Sequence, residues 1–173
     1  MPGLGSGYSF HSLGSSMVDD VCLRKHRYGF VTRQQNKYLV EVEEYQYSVY
    51  AIKFYLRNHK NNRSRFEVLT GEQDAFRILS TCLKIITDTL PLKEEPYASF
   101  GFMGAPLTKE GGEANNKRFR VYRQIMQNRF SPQSFVHIAN SEKNTYVLVN
   151  KANREHNLIE KIDTMFSQYY EGL

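Results

Sequence analysis

Residues 115–126 have the sequence NNKRFRVYRQIM and predict how the second half of the chain is arranged. Asn115 is a favourable residue for starting a helix. Apolar side chains then recur at the spacing of one helix face, at Phe119, Tyr122 and Met126. Strand-like runs flank the segment, one over residues 97–104 and the other over residues 134–139. The pattern therefore predicts a helix that connects two strands of a sheet.

The composition is that of a globular domain. The chain has 173 residues, of which 40% are hydrophobic and 13% aromatic, and this excludes disorder over most of its length. No apolar run reaches the roughly 18 residues that cross a bilayer, and the N-terminus lacks a secretory pattern. Cys22 and Cys82 are too few for a disulfide framework. We expect one soluble, cytoplasmic domain with no membrane partner.

The first half of the sequence predicts a sheet. Residues 1–24 are rich in Gly and Ser and predict a flexible N-terminal segment, followed by a single domain over residues 25–173. Runs of β-branched and aromatic residues then predict four strands, at residues 28–32, 37–43, 47–56 and 65–70. Polar connections between these strands favour an antiparallel meander.

Helices and strands alternate in the remainder. An apolar stripe that begins at Ala75 predicts a first helix, which Leu90 and Pro91 end. The fifth strand, residues 97–103, is apolar on both faces, which favours a central position in the sheet. The second helix, strands at 135–138 and 145–149, and an amphipathic C-terminal helix over residues 154–170 follow. This predicts an α+β fold of order β-β-β-β-α-β-α-β-β-α, with a mixed, mostly antiparallel sheet and helices on both faces.

The succession of elements over about residues 37–149 resembles the GNAT superfamily of acyl-CoA N-acyltransferases. In that family a loop and the helix that follows it hold the coenzyme A pyrophosphate, and the matching positions here include Thr70 and Gly71. Asn115 and Tyr122 are similar to the family's Asn-x-x-Ala-x-x-Leu-Tyr motif. The resemblance implies acetyl-CoA as cofactor, Asn115 as a cofactor contact and Tyr122 as general acid to the departing thiolate.

Three residues depart from the family pattern. Glu72 and Asp74 place carboxylates where the family binds a diphosphate, and Arg118 stands where the family has a small residue. Ordinary helix capping also explains an acidic first turn. The degenerate loop favours a non-catalytic binding or structural role. Residues 69–79 and 118–122 are also similar to phage and bacterial proteins of this shape.

The second helix carries a basic face. Lys117, Arg120 and Arg123 lie within one sector of the helix, and the net charge of +5 favours an anionic partner. Contact with nucleic acid through the helix over residues 115–130 is one interpretation and a solvated helix face is the other. Four tyrosines could stack on bases in such a complex: Tyr45, Tyr47, Tyr50 and Tyr55.

Other chemistry has little sequence support. The five His residues are dispersed without metal-ligand spacing, and no hydrolase or P-loop motif is present. We interpret His137 as a structural residue of a strand. Glu41, Glu43 and Glu44 lie on or next to the second predicted strand, where the GNAT family often supplies a carboxylate base, but we expect them to be exposed strand residues.

Three functional hypotheses result. The first is a non-catalytic, GNAT-like binding or structural protein, associated with a phage or another mobile element. The second is an acetyl-CoA-dependent N-acyltransferase, and the third is a nucleic-acid-binding protein. The sequence favours a macromolecular partner, a protein before a nucleic acid, and leaves open whether the chain forms a homo-oligomer.

Overall fold

The computed structural model describes residues 7–59, 74–89, 95–103, 117–140 and 145–170. These residues contain three α-helices: α1 (Ala75–Thr89), α2 (Lys117–Arg129) and α3 (Leu158–Tyr170). They contain seven strands: β1 (Phe10–Met17), β2 (Cys22–Val31), β3 (Lys37–Tyr45), β4 (Val49–Leu56), β5 (Ser99–Met103), β6 (Phe135–Asn140) and β7 (Thr145–Asn150). Short 3-10 turns lie at Gln46–Ser48 and Arg57–His59.

The seven strands form one sheet in the order β1-β2-β3-β4-β5-β7-β6. Neighbouring strands are antiparallel except β4 and β5, which are parallel and pair from Val49 with Ser99 to Ile52 with Phe102. A parallel pair needs a crossover connection, and α1 lies in that connection. The predicted α+β fold with a mixed, mostly antiparallel sheet is therefore confirmed, and so is the central position of β5.

The described part of the N-terminal segment, residues 7–24, includes a strand of the sheet, and residues 1–6 of the segment expected to be flexible lie outside the described residues. β1 pairs with β2 along its length, and Tyr8 is buried. The backbone of Gly7 packs against α1, where an added Cβ would lie 2.8 Å from the Thr81 Cα. The first strand of the meander is thus β1, and the strand predicted over residues 65–70 lies outside the described residues.

The two faces of the sheet are covered unequally. On one face α1 and α2 enclose the larger core, which includes Tyr50 and Ile52 of β4. On the other face α3 packs on a smaller core that includes Val49 and Ala51. A Cβ on Gly101 would lie 2.6 Å from the Phe166 ring, so the close approach of α3 to β5 requires glycine.

The C-terminal helix begins later than predicted. It starts at Leu158 and not at Arg154, because residues 150–157 form a chain of polar turns. The side chains of Asn150 and Asn153 accept hydrogen bonds from the backbone amides two residues later. Asn157 has a left-handed backbone, with φ of 52°, just before the helix begins.

Candidate functional site

The structure describes only part of the predicted site. Thr70, Gly71 and Asn115 lie outside the described residues, so their proposed contacts with a cofactor stay predictions. Lys117 is the first residue of α2, but its side chain is not among those described. Tyr122, Arg120 and Arg123 are all placed.

Tyr122 lies in the larger core. Its side chain is 1% exposed, and its ring packs against Phe54 and Phe102, with centroid distances of 6.3 and 5.7 Å. Its place on the buried stripe of α2 follows from the spacing that predicted the helix. Its role as general acid stays a prediction.

The amino end of α1 is tied to the N-terminal segment through Asp74. The Asp74 carbonyl accepts a hydrogen bond from the Ile78 amide at 3.0 Å, which makes Asp74 the residue that starts the helix. The Tyr8 hydroxyl donates to the Asp74 carboxylate, and the Arg33 guanidinium lies 3.9 Å from it. The Arg77 guanidinium covers the Tyr8 ring at 4.1 Å. A carboxylate with two partners therefore marks the start of α1.

A second group of charges, which we call the ionic cluster, lies on the sheet face opposite α1 and α2. It consists of Lys25 on β2, Glu41 and Glu43 on β3, and Lys53 on β4. Glu43 Oε1 is 2.8 Å from Lys53 Nζ and 3.4 Å from Lys25 Nζ. Glu41 Oε2 is 3.7 Å from Lys25 Nζ. The two positive and two negative charges of these four residues sum to zero.

Tyrosine hydroxyls donate to one oxygen of each carboxylate, whereas Glu41 Oε2 is buried without a hydrogen-bond partner among the described residues. Tyr45 donates to Glu43 Oε2 at 2.6 Å, and Tyr55 donates to Glu41 Oε1 at 3.1 Å. Both tyrosines and both glutamates are buried. These contacts are those expected of buried carboxylates, whose charge must be paired and hydrogen-bonded.

Burial perturbs two groups near these carboxylates. It lowers the pKa of Lys53, and the attraction of Glu43 opposes this change. Burial raises the pKa of the Cys22 thiol to about 11, and the nearby Glu43 charge acts in the same direction. Cys22 is therefore a protonated thiol at neutral pH, and it is not a nucleophile there.

The interpretation of Glu41 and Glu43 as exposed was wrong. The sequence does contain a signal for their burial, because bases on β2 and β4 lie in register with acids on β3. Lys25 is opposite Glu43, and Glu41 lies between Arg27 and Lys53. That signal becomes visible only when the strand register is known.

The outer face of α2 is basic. Arg120, Arg123 and Arg129 are exposed, and α2 contains no acidic residue. The tyrosines proposed for stacking on bases lie elsewhere, and Tyr45, Tyr50 and Tyr55 are buried. The fourth, Tyr47, is 38% exposed and lies under the Lys161 ammonium at 4.7 Å. The basic face therefore has no row of exposed tyrosines among these four.

His137 has the structural role that was predicted. Its Nε2 donates to the Phe130 carbonyl at 2.9 Å, since a carbonyl can only accept. Its Nδ1 is 2.7 Å from the Tyr146 hydroxyl, which then donates to it. The ring joins the end of α2 to the β6–β7 hairpin.

Comparison with family models, with curated proteins and with solved structures gives no match for this chain. Within residues 7–59, 74–89, 95–103, 117–140 and 145–170, no three or more His, Cys, Asp or Glu side chains group in a way that could hold a metal ion. None of the helices in that part of the chain has the length and apolar character needed to span a membrane.

Proposed function

We propose that this protein is a GNAT-like binding protein that does not catalyse acyl transfer. From β3 to β7 the described elements follow one another as two strands, α1, β5, α2 and a strand pair, a succession similar to the family's, and this supports the proposal of a GNAT-like scaffold. Arg33 follows β2, which runs in the same direction as β4, so its contact with Asp74 places the amino end of α1 where β4 ends. In the family, the pyrophosphate binds at the corresponding end of the strands, next to the amino end of this helix.

The observation that carries the proposal is the carboxylate at that end of the helix. Asp74 starts α1, and Tyr8 and Arg33 hold its side chain in place. The amino end of a helix favours an anion, and here the protein supplies that anion itself. A diphosphate would have to approach against this charge.

The other groups that acyl transfer would use are engaged in packing or pairing. Tyr122 is enclosed by the aromatic core, and Glu43 is paired with Lys53. A general acid or base must come within about 3 Å of the proton that it transfers, so either group would have to leave its present contacts. These contacts support the part of the proposal that says the protein does not catalyse acyl transfer.

The exposed face of α2 is the binding surface that we assign to this scaffold. Arg120 and Arg123 present positive charge on this face without an acidic residue on the same helix. Arginine suits recognition of carboxylates because its guanidinium donates two parallel hydrogen bonds. Burial of three of the four candidate stacking tyrosines favours an acidic protein surface over single-stranded nucleic acid.

Fluorescence anisotropy with a labelled polyglutamate peptide tests this surface. We expect micromolar binding at low salt that weakens about tenfold or more when Arg120→Glu and Arg123→Glu are combined. Arg24→Glu is the matched control, since Arg24 is exposed on β2 and should leave the affinity nearly unchanged. Equal weakening by the control would contradict a role for α2. Tighter binding of a DNA oligonucleotide, lost in the same α2 variant, would favour the nucleic-acid hypothesis instead.

A further inference from the structure

β1 forms an unusual edge of the sheet. Among the strands that the structure describes it is the outermost one beside β2, and all of its residues except Phe10 are exposed. An edge strand presents a row of backbone N–H and C=O groups that can pair with another chain. Natural proteins protect such edges with charged residues, proline, bulges or a short strand.

Most of those protections are missing from β1. The strand is eight residues long, and its sequence FHSLGSSM contains no Asp, Glu, Lys, Arg or Pro. Two apolar side chains on it are open to solvent, Leu13 being 46% and Met17 71% exposed. A bulge at Gly14, where φ is 97°, interrupts the ladder to β2. The bulge is short, and it leaves paired segments on both sides.

Two basic residues next to the middle of this edge are paired with acids within the sheet, whereas Arg24, opposite Met17 at the end of β1, is exposed. On β2, Lys25 lies opposite Ser16 and Arg27 lies opposite Gly14. Both basic side chains lie within 4 Å of Glu41, and Lys25 also reaches Glu43. The middle of the edge therefore offers little electrostatic preference for a basic or an acidic peptide. A strand that is itself uncharged and carries apolar side chains suits it best.

We propose that β1 pairs with β1 of a second copy of this chain, antiparallel and across a twofold axis that passes close to Leu13. Both copies then contribute the same strand, as an isologous interface requires. Because β1 carries no Asp, Glu, Lys or Arg, no like charges of these residues lie opposite each other on the two β1 strands. Leu13 and Met17 of both copies then lie along the line where the two β1 strands pair. The two sheets join into one continuous sheet.

The strength of the dimer follows from its size and charge. A single pair of eight-residue strands buries less surface than the about 800 Å² per partner of a standard interface, so we expect a dissociation constant of about 10–100 µM. Each copy carries a net charge of +5, and their repulsion is screened by salt. Dimer formation therefore increases with protein concentration and with ionic strength.

Sedimentation velocity over about 1–200 µM protein, at about 0.15 and about 0.5 M salt, tests the pairing. We expect a monomer–dimer equilibrium that Leu13→Lys shifts to monomer, because the axis brings the two new charges together. Val136→Lys is the matched control, since Val136 is 37% exposed on β6 at the opposite edge. A monomer at every concentration would overturn the proposal, as would a dimer that Val136→Lys disrupts and Leu13→Lys does not.

A cross-link gives a second result that does not depend on the folding of the lysine variant. Leu13→Cys should form a disulfide-linked dimer under mild oxidation, whereas Val136→Cys should not. The natural Cys22 and Cys82 are both buried and should not contribute. Equal cross-linking of the two variants would contradict pairing through β1.

Discussion

Replacement of Glu43 by Gln removes one charge from the ionic cluster and keeps the size of the side chain. The Glu43 side chain is 3% exposed, and it accepts from Lys53 Nζ at 2.8 Å and from the Tyr45 hydroxyl at 2.6 Å. The Lys53 side chain is 13% exposed, so solvent can replace little of the lost interaction. We expect a large loss of stability for a single-atom change.

The magnitude follows from the geometry. At 2.8 Å and an effective dielectric constant of about 20, two unit charges attract by about 6 kcal/mol, and desolvation of both groups offsets part of this. Removing one partner of a buried pair typically costs about 3–5 kcal/mol, because the other charge stays buried. The amide oxygen that Glu43→Gln retains can still accept a hydrogen bond from Lys53, whereas Lys25 loses its ion pair with Glu43, so we expect about 3 kcal/mol.

Urea unfolding followed by circular dichroism measures this loss. With a slope of about 2 kcal/mol/M, the midpoint should fall by about 1.5 M while the slope stays the same. Glu44→Gln is the matched control, since Glu44 is the next residue on β3, is 28% exposed and pairs with His26. Its cost should be below about 1 kcal/mol. Equal costs for the two variants would refute the reasoning.

A double variant separates the pair from other effects. Because Lys53→Met removes the buried charge that Glu43→Gln leaves behind, the combination should cost less than the sum of the two single changes. Strict additivity would show that Glu43 and Lys53 do not interact in solution.

Four further predictions follow from described residues. Ser48→Gly should raise the unfolding temperature by about 2–4 °C, because Ser48 has φ of 56°; no gain would contradict this backbone strain. Tyr8→Phe should cost about 2 kcal/mol in urea unfolding through its lost hydrogen bond to Asp74, and no cost would contradict a role in stability. Neither Cys22 nor Cys82 should react with a thiol reagent before unfolding. Because the Cys22 pKa rises from 9.0 to about 11 on folding, its contribution to stability is complete below pH 9.0 and is lost between 9.0 and about 11; a Cys22→Ala variant should lack that loss.

The sequence predicted those elements whose pattern is local. The apolar stripe of α1 and the two-sided apolar run of β5 each contain enough residues to show their periodicity. β1 could not be predicted in this way, because an edge strand with exposed Ser and Gly has no alternation to detect. The position of β1 in the sheet depends on Tyr8 and Phe10, which precede its polar residues and pack in or against the larger core.

The start of β4 shows a different limit. The alternating pattern extends back to Tyr47, but the backbone there is left-handed, with φ of 63°, and the strand begins at Val49. Only glycine or asparagine would have signalled such a turn in the sequence. The side-chain pattern therefore predicted the strand, but it did not predict the left-handed backbone that sets where the strand begins.

The candidate site was less predictable than the fold. The same spacing that places Tyr122 on an apolar helix face also fits a catalytic tyrosine, so the sequence could not separate the two roles. The ionic cluster depends on strand register, which brings Lys25 and Lys53 to the same glutamate across two strands. The tether at Asp74 depends on Tyr8, which is 66 residues earlier in the chain.

Calorimetric titration with acetyl-CoA tests the central claim most directly. A binding protein without acyltransferase activity, with Asp74 at the start of α1, predicts no heat of binding and no thermal stabilisation by acetyl-CoA. Micromolar binding that disappears when Gly71 is replaced by Trp would contradict the claim, and the acyltransferase hypothesis would then take its place.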